Sequence, residues 1–509
     1  MQKFFYSSRG TVFFSGVLTF IAVNEINFLI GWLCFVPLFM YVFNKPPREI
    51  FKAGFFFGLA WSIPSFYWMI PGAEKFTGYS IFYGVSVFIV SSLFFSLYFA
   101  CLMYCFCKIK VLNSGSKLFI LNGIFAASVF CVGEFLLMFV SSGFPWFGFH
   151  AGNALTANLY AIQPAAIFGV FVLTFIVVFV NYTIAYFIAE KKWKRLFIPV
   201  AIVVAYLLSG YFILRNFENR LPESKPFNVA ILAENIPPEM KWDDANGNAL
   251  VQKLLDLNRQ ATPLKPDLIL WSESAIPWTY RPDDDLVNEV LKITAPGHST
   301  HILGINTAYS ENVVYNSAYC FAPDGKVTGR YDKQFLLSLI EKPIGNVLFP
   351  FFSSGGFYVE NSQQHNAPLN TAFGKAGIMI CNESTVPAAA ANPVKQGAHF
   401  LFNMSNDGWF NDTYIVGLHF YNARLRAVET RKDVAINCNN GISGLVQASG
   451  RITAQQRSTD PFVQMVSIQP NSYITTATTG PAVFVYCCAL IIIFFTIVRM
   501  SSKFKHKKV

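Results

Sequence analysis

The run IFYGVSVFIVSSLFFSLYFACLMYCFC at residues 81–107 contains no charged side chain. An apolar helix needs about 20 residues to cross the roughly 30 Å hydrocarbon core of a bilayer, and this run exceeds that length. Seven further apolar runs lie at 9–23, 27–43, 53–70, 118–140, 161–188, 196–214 and 481–498. The sequence therefore predicts an α-helical membrane bundle of about eight transmembrane helices.

The composition of the whole chain supports a membrane location. Of the 509 residues, 53% are hydrophobic and only 13% are charged. Soluble globular chains carry about 25% charged residues, so this chain has too few to cover a surface that faces water on all sides. The same composition excludes disordered, collagen-like and small disulfide-rich proteins.

One long stretch differs from the rest of the chain. Residues 216–480 hold most of the acidic side chains and most of the Gly, Pro and Asn. The sequence thus predicts three parts: helices one to seven in residues 1–215, a soluble domain in 216–480, and helix eight with a basic tail in 481–509. The soluble domain contains three cysteines, and an odd number leaves at least one thiol free within the chain.

The distribution of Lys and Arg predicts the orientation of the bundle. Outside residues 215–480 there are 18 such residues, and 17 of them lie at the N-terminus, in the even-numbered connections or in the C-terminal tail; Lys75 is the exception. The positive-inside rule then places both termini in the cytoplasm and the soluble domain on the outer side. The net charge of +10 reflects this topology, so it does not indicate nucleic-acid binding.

The soluble domain alternates short β-rich runs with amphipathic helical stretches. Strands are predicted at 227–233, 267–271, 301–306, 316–321, 376–381, 399–403, 434–437 and 444–448, and helices at 244–259, 283–293, 384–396 and 414–431. This alternation indicates an α/β layer structure with a mixed sheet. No phosphate-binding loop, dinucleotide fingerprint or zinc spacing is present, and we interpret His298 and His301 as solvated loop residues, so no metal or cofactor is expected.

Three polar residues each follow a segment that is otherwise typical of buried structure. Glu273 follows a strand, Lys333 follows a hairpin, and Cys381 ends a strand just before a predicted helix. Residues at the carboxyl ends of strands line the clefts of α/β sheets. A helix N-terminus and a nearby ammonium favour thiolate, a carboxylate takes a proton, and together the three groups suit acyl transfer. By spacing alone, each also fits a structural role, as a helix-cap acid, a solvated turn lysine and a packed strand-end cysteine.

The segments around these residues carry a family resemblance. LILWSESAIPW (268–278), GRYDKQFL (329–336) and GIMICNES (377–384) resemble, in this order, the Glu, Lys and Cys motifs of the nitrilase or carbon-nitrogen hydrolase superfamily. With the surrounding spans, the chain resembles the apolipoprotein N-acyltransferase family. Further matching segments are SSGFPWFGFH (141–150), ENIPPEMKWD (234–243), NMSNDGWFNDT (403–413), HFYNARLRAVETRKD (419–433) and NNGISGLV (439–446).

The resemblance implies a fold, a location and a reaction. It implies an αββα sandwich on the periplasmic side of a bacterial inner membrane, with Glu273 as general base, Lys333 as transition-state stabiliser and Cys381 as nucleophile. Cys381 would take an acyl chain from a phospholipid donor as a thioester. The α-amine of a diacylglyceryl-cysteine on an apolipoprotein acceptor would then receive that chain.

Further residues follow from the same resemblance. Glu341 and Glu383 are expected to support the catalytic group, or else to be a loop acid and a helix N-terminal acid. The substrate-binding candidates are Trp242, which alternatively packs in the core, and Trp409, Phe410 and Asn382. The family usually has Asn-His and Val-Pro-Phe-Gly where this chain has Gln334-Phe335 and residues 337–340, which leaves the acyl pocket and the role of Glu341 open.

Two features outside these motifs remain open. Glu134 lies within the predicted fifth span, where a carboxyl group is costly, so it is either functional or a structural hydrogen-bond partner. Residues 349–370 are either a lid that enters the bilayer or a core turn.

Two other functions compete with acyl transfer. One is a membrane-tethered amidase that uses the same three residues, and the other is a catalytically inactive protein that binds or moves lipid. The sequence decides neither the lipid preference nor the oligomeric state.

Overall fold

The computed structural model describes residues 9–43, 45–72, 81–109, 118–140, 143, 149–220, 222, 224–237, 240, 242–310, 313–338, 341–342, 358–359, 364–410, 413–480 and 482–506. Its membrane part consists mainly of α-helices: Arg9–Val23, Phe28–Gly31, Val36–Val42, Pro47–Phe66, Ile81–Ile109, Leu118–Val140, Ala165–Phe168, Phe171–Ala189, Phe197–Glu218 and Val483–His506. These helices form the bundle.

Five helices of the described chain are long and apolar enough to span a membrane. They are Ile81–Lys108, Phe119–Val140, Phe171–Ala189, Trp193–Glu218 and Val483–Ser501. Arg9–Val23 and Phe28–Val42 are shorter apolar helical segments. The chain is thus a multi-pass membrane protein, and the predicted count of eight spans is not confirmed.

Two of the predicted spans are interrupted. The run at 27–43 forms two short helices, Phe28–Gly31 and Val36–Val42, and the second has a proline in its first turn. The run at 161–188 breaks at Gly169, whose φ of +75° ends the short helix Ala165–Phe168. Both breaks lie within apolar sequence, where hydropathy gives no sign of them.

Small residues bring two bundle helices close together. Gly54 and Gly58 are four residues apart on the helix Pro47–Phe66 and face the helix Ile81–Ile109. A Cβ at Gly54 would overlap the backbone oxygen of Phe99, and one at Gly58 would lie 2.8 Å from the Cα of Ser96. Larger side chains would therefore push these backbones apart, as in other membrane helix pairs that meet at small residues.

The buried carboxyl of Glu134 is a hydrogen-bond centre between bundle segments. Its Oε1 accepts from the backbone N–H of Ala151 at 2.8 Å, and its Oε2 accepts from the Thr174 hydroxyl at 2.6 Å. His150 Nδ1 lies 3.2 Å from the same Oε2. These contacts support the structural interpretation of Glu134.

The remaining elements build an α/β domain, here called the sandwich. Its strands, β1 to β15 in chain order, are Phe227–Ala233, Leu268–Leu270, Ile276–Thr279, Thr300–Ser310, Val313–Tyr315, Ser317–Phe321, Val327–Asp332, Tyr358–Val359, Leu369–Thr371, Gly374–Ile380, Phe400–Asn406, Val434–Asn439, Ile442–Val446, Ile452–Arg457 and Phe462–Ile468. Its longer helices are Gly247–Ala261, Asp285–Thr294, Pro387–Lys395 and Tyr414–Thr430.

The strands form two mixed sheets. In the first sheet, β1, β2 and β4 run parallel, β15 pairs antiparallel with β1, and β6 joins β4 to β7. The second sheet has the order β14-β13-β12-β11-β10-β9, with β10, β11 and β12 parallel. The predicted mixed sheet is confirmed, and the domain contains two such sheets.

Three apolar layers hold the sandwich together. The central layer joins the inner faces of the two sheets, with Val229 and Leu270 from the first and Ile380 and Phe402 from the second. One outer layer packs the helices Gly247–Ala261 and Asp285–Thr294 on the first sheet, and the other packs Pro387–Lys395 and Tyr414–Thr430 on the second. The arrangement is the αββα architecture that the resemblance implied.

The helix Tyr414–Thr430, here called the docking helix, connects the sandwich to the bundle. Arg424 donates from Nη1 to the backbone oxygens of Thr156 at 2.9 Å and Ala157 at 2.8 Å. Glu429 accepts from the backbone N–H of Val170 at 2.8 Å, and Tyr414 donates to the backbone oxygen of Ser65 at 2.7 Å. The sandwich is therefore held against the bundle by buried directional bonds.

Candidate active site

Cys381 stands at the carboxyl end of β10, at the edge of the second sheet. Its φ is +55°, in the left-handed region that residues with a side chain rarely adopt. A 3₁₀ turn, Cys381–Thr385, follows directly, and the α-helix begins only at Pro387. A non-glycine residue in this conformation costs free energy and is typical of functional sites.

Glu273 follows β2 at the corresponding edge of the first sheet. It is 8% exposed, and its Oε1 accepts a hydrogen bond of 2.8 Å from the side-chain amide of Asn316. The thiol of Cys381 is close enough to this carboxylate to lower its pKa. The two sheets thus bring a thiol and a base together although they are far apart in sequence.

Lys333 follows β7 and completes the cluster. Its ammonium is fully buried and lies 2.9 Å from Glu341 Oε1 and 3.4 Å from Glu273 Oε1. The second oxygen of Glu341 accepts from the backbone N–H of Leu337 at 2.7 Å, which fixes the direction of that carboxylate. Burial would lower the pKa of Lys333, but the carboxylates of Glu341 and Glu273 raise it overall, so the side chain stays charged.

Burial sets the protonation of the other two groups. It raises the pKa of Glu273, against the opposing effects of Lys333 and of the Asn316 hydrogen bond. It also raises the pKa of the Cys381 thiol well above its usual range, and the negative charge of Glu273 adds to this. The structure does not support the expected preference for thiolate, because no α-helix begins at Cys381 and burial raises the pKa of its thiol.

The carboxyl of Glu383 ties the cysteine turn to the lysine loop. One oxygen accepts from the backbone N–H groups of Gln334 at 2.7 Å and Phe335 at 3.0 Å, and the other accepts from Ile380 at 2.7 Å. The Tyr331 hydroxyl donates to both oxygens. Burial raises the pKa of Glu383 to about 7. This residue connects the backbone before Cys381 to the backbone after Lys333.

The structure places the remaining candidates at different distances from this cluster. Asn382 adjoins Cys381 and donates to the backbone oxygen of Phe335 at 3.0 Å. Phe410 is buried where the sandwich meets the bundle, with its ring centroid 5.1 Å from that of Trp68. Trp242 stacks edge-on with Trp278 against the core of the first sheet. Their roles in substrate binding stay predictions.

Some predicted features lie outside the described residues. The side chain of Trp409 is one of them. In the segment 349–370, the structure describes only 358–359 and 364–370, so the proposed lid is not described as a whole. The same holds for most of the motif at 141–150.

The interpretation of His301 as a solvated loop residue is wrong. His301 is buried in β4, where Nδ1 accepts from the Trp271 indole at 3.2 Å and Nε2 lies 2.7 Å from the Thr294 hydroxyl. The strand predicted at 301–306 already included this residue, and that prediction was the signal against a loop position. Among the described residues, no group of three or more His, Cys, Asp or Glu side chains could hold a metal ion.

Asn316 is a site residue that the sequence reasoning missed. Besides its bond to Glu273, its backbone oxygen accepts from the N–H of Lys333 at 2.9 Å, so it contacts both residues. A polar residue directly before the buried strand β6 was the available signal. This signal indicated a hydrogen-bonded side chain, but it did not indicate that the partner would be Glu273.

Comparison with known proteins finds two family models that together match most of the chain. A model of the carbon-nitrogen hydrolase family matches residues 229–478, and a model of the apolipoprotein N-acyltransferase N-terminal domain matches residues 15–183. The apolipoprotein N-acyltransferase of Geobacter metallireducens is 27% identical over 440 residues, which cover 83% of this chain and 82% of that protein. The Vibrio vulnificus protein of the same name is 24% identical over 479 residues, with 90% of each chain covered.

Solved structures include Saccharomyces cerevisiae Nit3, a member of branch 10 of the nitrilase superfamily. It has 18% sequence identity and a TM-score of 0.39, with 51% of this chain and 95% of that chain covered.

The αββα sandwich belongs to the carbon-nitrogen hydrolase class, whose family model matches residues 229–478. In this chain the class is joined to a membrane part, and residues 15–183 of the bundle match the model of the apolipoprotein N-acyltransferase N-terminal domain. The chain belongs to the apolipoprotein N-acyltransferase family.

Proposed function

We propose that this membrane-embedded N-acyltransferase moves an acyl chain from a phospholipid to the α-amine of an N-terminal diacylglyceryl-cysteine on an apolipoprotein. One observation carries the proposal: a buried thiol, carboxylate and ammonium meet at one edge of a sandwich that is docked on an apolar bundle. The names of the relatives support the acceptor class.

The first half-reaction would form a thioester on Cys381. Because burial raises the pKa of the thiol, its proton would pass to Glu273 as the sulfur attacks the phospholipid ester carbonyl and the C–S bond forms. The ammonium of Lys333 would stabilise the oxyanion of the tetrahedral intermediate. When the C–O bond breaks, Glu273 returns the proton to the leaving oxygen, and lysophospholipid is released.

The second half-reaction would use the same groups. The acceptor amine attacks the thioester carbonyl and gives a proton to Glu273, which returns it to the sulfur of Cys381 as the C–S bond breaks. The product is an amide, and the enzyme is restored. This order of events is a ping-pong mechanism, in which the donor product leaves before the acceptor reacts.

The site would lie close to the membrane, where both lipid substrates are found. The docking helix contributes a further link, because Arg426 Nη1 lies 3.4 Å from the backbone oxygen of Ser384, within the turn that begins at Cys381. The reactive turn is therefore joined to the helix that contacts the bundle. The excess of Lys and Arg in the even-numbered connections supports a periplasmic location of the site in a bacterial inner membrane.

The mass of the intact protein tests the proposal directly. After incubation with phospholipid, the wild-type protein should gain the mass of one acyl chain and lose it when a diacylated lipopeptide is added. Cys381→Ser should gain none, whereas Cys320→Ser, which removes another buried thiol of the sandwich, should behave as the wild type does.

Other outcomes would favour the competing functions. Hydrolysis of soluble amides in detergent without any lipid donor would indicate an amidase. Normal phospholipid binding without a covalent adduct on Cys381 would indicate a lipid-binding or lipid-transport protein.

A further inference from the structure

The three reactive groups are carried by two different sheets. Glu273 and Lys333 follow strands of the first sheet, whereas Cys381 follows a strand of the second. The distance between thiol and base therefore depends on how the sheets are placed relative to each other. The apolar layer between them is non-directional, so it holds the sheets together without fixing their offset along the strands.

Asn437 supplies a directional bond across this layer. It lies in β12 with no exposed surface, and its single Nδ2 donates to two backbone oxygens of the first sheet: Leu232 at 2.7 Å and Leu270 at 2.8 Å. Leu232 belongs to β1 and Leu270 ends β2. One amide group thus joins β12 to two neighbouring strands of the opposite sheet.

The register places this amide level with the nucleophile. Asn437 pairs with Met404, and Met404 pairs with Ile380, the residue before Cys381. On the other side, Leu270 is three residues before Glu273. The bond from Asn437 to Leu270 therefore runs between the strand end that leads to the thiol and the strand end that leads to the base.

A second residue of β12, two positions after Asn437, also connects the two sheets. Asn439 donates from Nδ2 to the backbone oxygen of Ile236 at 2.8 Å and accepts from the backbone N–H of Ile236, also at 2.8 Å. Together, Asn437 and Asn439 form what we call the inter-sheet clamp. Its bonds go to main-chain groups of the first-sheet side: to Leu232 and Leu270 within β1 and β2, and to Ile236 just after β1.

We infer that the inter-sheet clamp is a positioning device for the reaction, with Asn437 as its main residue, and that it sets the reach between the Cys381 thiol and the Glu273 carboxylate. The inference rests on the proposed function, because it assigns the clamp to thioester formation. Proton transfer depends steeply on distance, and a misplacement of about 1 Å can slow an enzyme about 100-fold.

Two substitutions test the clamp. Asn437→Asp keeps the shape but presents an oxygen to the two backbone oxygens, and Asn437→Ser is too short to bridge both. Each should slow the formation of the thioester by about 10- to 100-fold, measured by intact mass against time. Asn440→Gly is the matched control: it removes a bond to Asn235 at the same interface, keeps the positive φ of this position, and should remain within about twofold of wild type.

A second readout separates positioning from a merely structural role. The alkylation of Cys381 by iodoacetamide should depend on the ionisation of Glu273 in the wild type, with an acid limb that disappears in Glu273→Gln. In the Asn437 variants this limb should also disappear, although the proteins remain folded and monodisperse. If Asn437→Asp does not fold, Asn437→Ser and Asn439→Ser provide the same comparison.

The outcomes are distinct. Asn437 variants that form the thioester at the wild-type rate and keep the wild-type alkylation profile would overturn the inference, as would an equal loss in Asn440→Gly. A wild-type protein that forms no thioester would overturn the proposed function instead, and the alkylation profiles would then still decide whether the clamp sets the contact between thiol and base.

Discussion

Removal of the Asn316 side chain should shift the pH dependence of thioester formation upward. Asn316 donates the 2.8 Å hydrogen bond that stabilises the Glu273 carboxylate, and this bond lowers the pKa of Glu273. A hydrogen bond to a charged group contributes about 1.5–3 kcal/mol. At about 1.4 kcal/mol per pKa unit, Asn316→Ala should raise the pKa of Glu273 by about one to two units.

The direction follows from the role of Glu273 as a base. Its ionised form accepts the thiol proton, so the rate falls as the pH drops through its pKa, and a higher pKa moves this fall to higher pH. At pH values below the pKa of Glu273 in both proteins, Asn316→Ala should form the thioester about 10- to 100-fold more slowly than wild type. At pH values above the raised pKa, the two rates should converge.

The assay is the single-turnover rate of mass gain on Cys381 at a series of pH values. Asn306→Ala is the control, because its amide also bonds within the first sheet, to the backbone oxygen of Pro277 at 3.0 Å, but does not touch Glu273. A uniform loss of rate in Asn316→Ala with an unchanged acid limb would refute the reasoning, since it would show that this bond does not act through the ionisation of Glu273.

Glu341→Gln should move the same limb in the opposite direction, to lower pH, because the charge of Glu341 raises the pKa of Glu273; an upward shift in the same mass assay would contradict this. Lys333→Met should slow thioester formation by about 100- to 1000-fold through the loss of oxyanion stabilisation, and a retained rate would remove Lys333 from the mechanism. Glu429→Gln leaves the buried Arg426 without its 2.7 Å partner and should lower the free energy of unfolding by about 3–5 kcal/mol, seen as a lower thermal midpoint in detergent. Glu190→Gln is the control at a half-exposed ion pair and should lower the free energy of unfolding by less than about 1 kcal/mol. Equal effects of the two variants would show that the buried pair of Arg426 and Glu429 does not stabilise the protein more than an exposed one.

Much of the sandwich could be predicted from local sequence patterns. The strand predicted at 227–233 is β1 without any change, and the helix predicted at 414–431 is the docking helix to within one residue. These elements have a buried face and polar neighbours, so their periodicity is visible. In the bundle, the break between Gly31 and Val36 was not predicted, because apolar residues continue across it and hydropathy responds to composition instead of backbone geometry.

The identity of the site residues could be predicted from the sequence, but their contacts and their pKa shifts could not. Glu273, Lys333 and Cys381 could be chosen because each follows a buried segment and carries a reactive group. Glu273 and Lys333 are 60 residues apart in the chain, and Cys381 reaches them only through the packing of the second sheet on the first, which no local pattern encodes. The raised pKa of the Cys381 thiol likewise comes from burial in the folded state, and so the expectation of thiolate failed.

The bonds of Arg424 to Thr156 and Ala157 end on main-chain oxygens. Every amino acid at those two positions would offer the same acceptors, so side-chain changes in that part of the bundle do not remove the anchor. A substitution at either position therefore tests the bundle side chain alone, because the attachment of the sandwich through Arg424 stays in place.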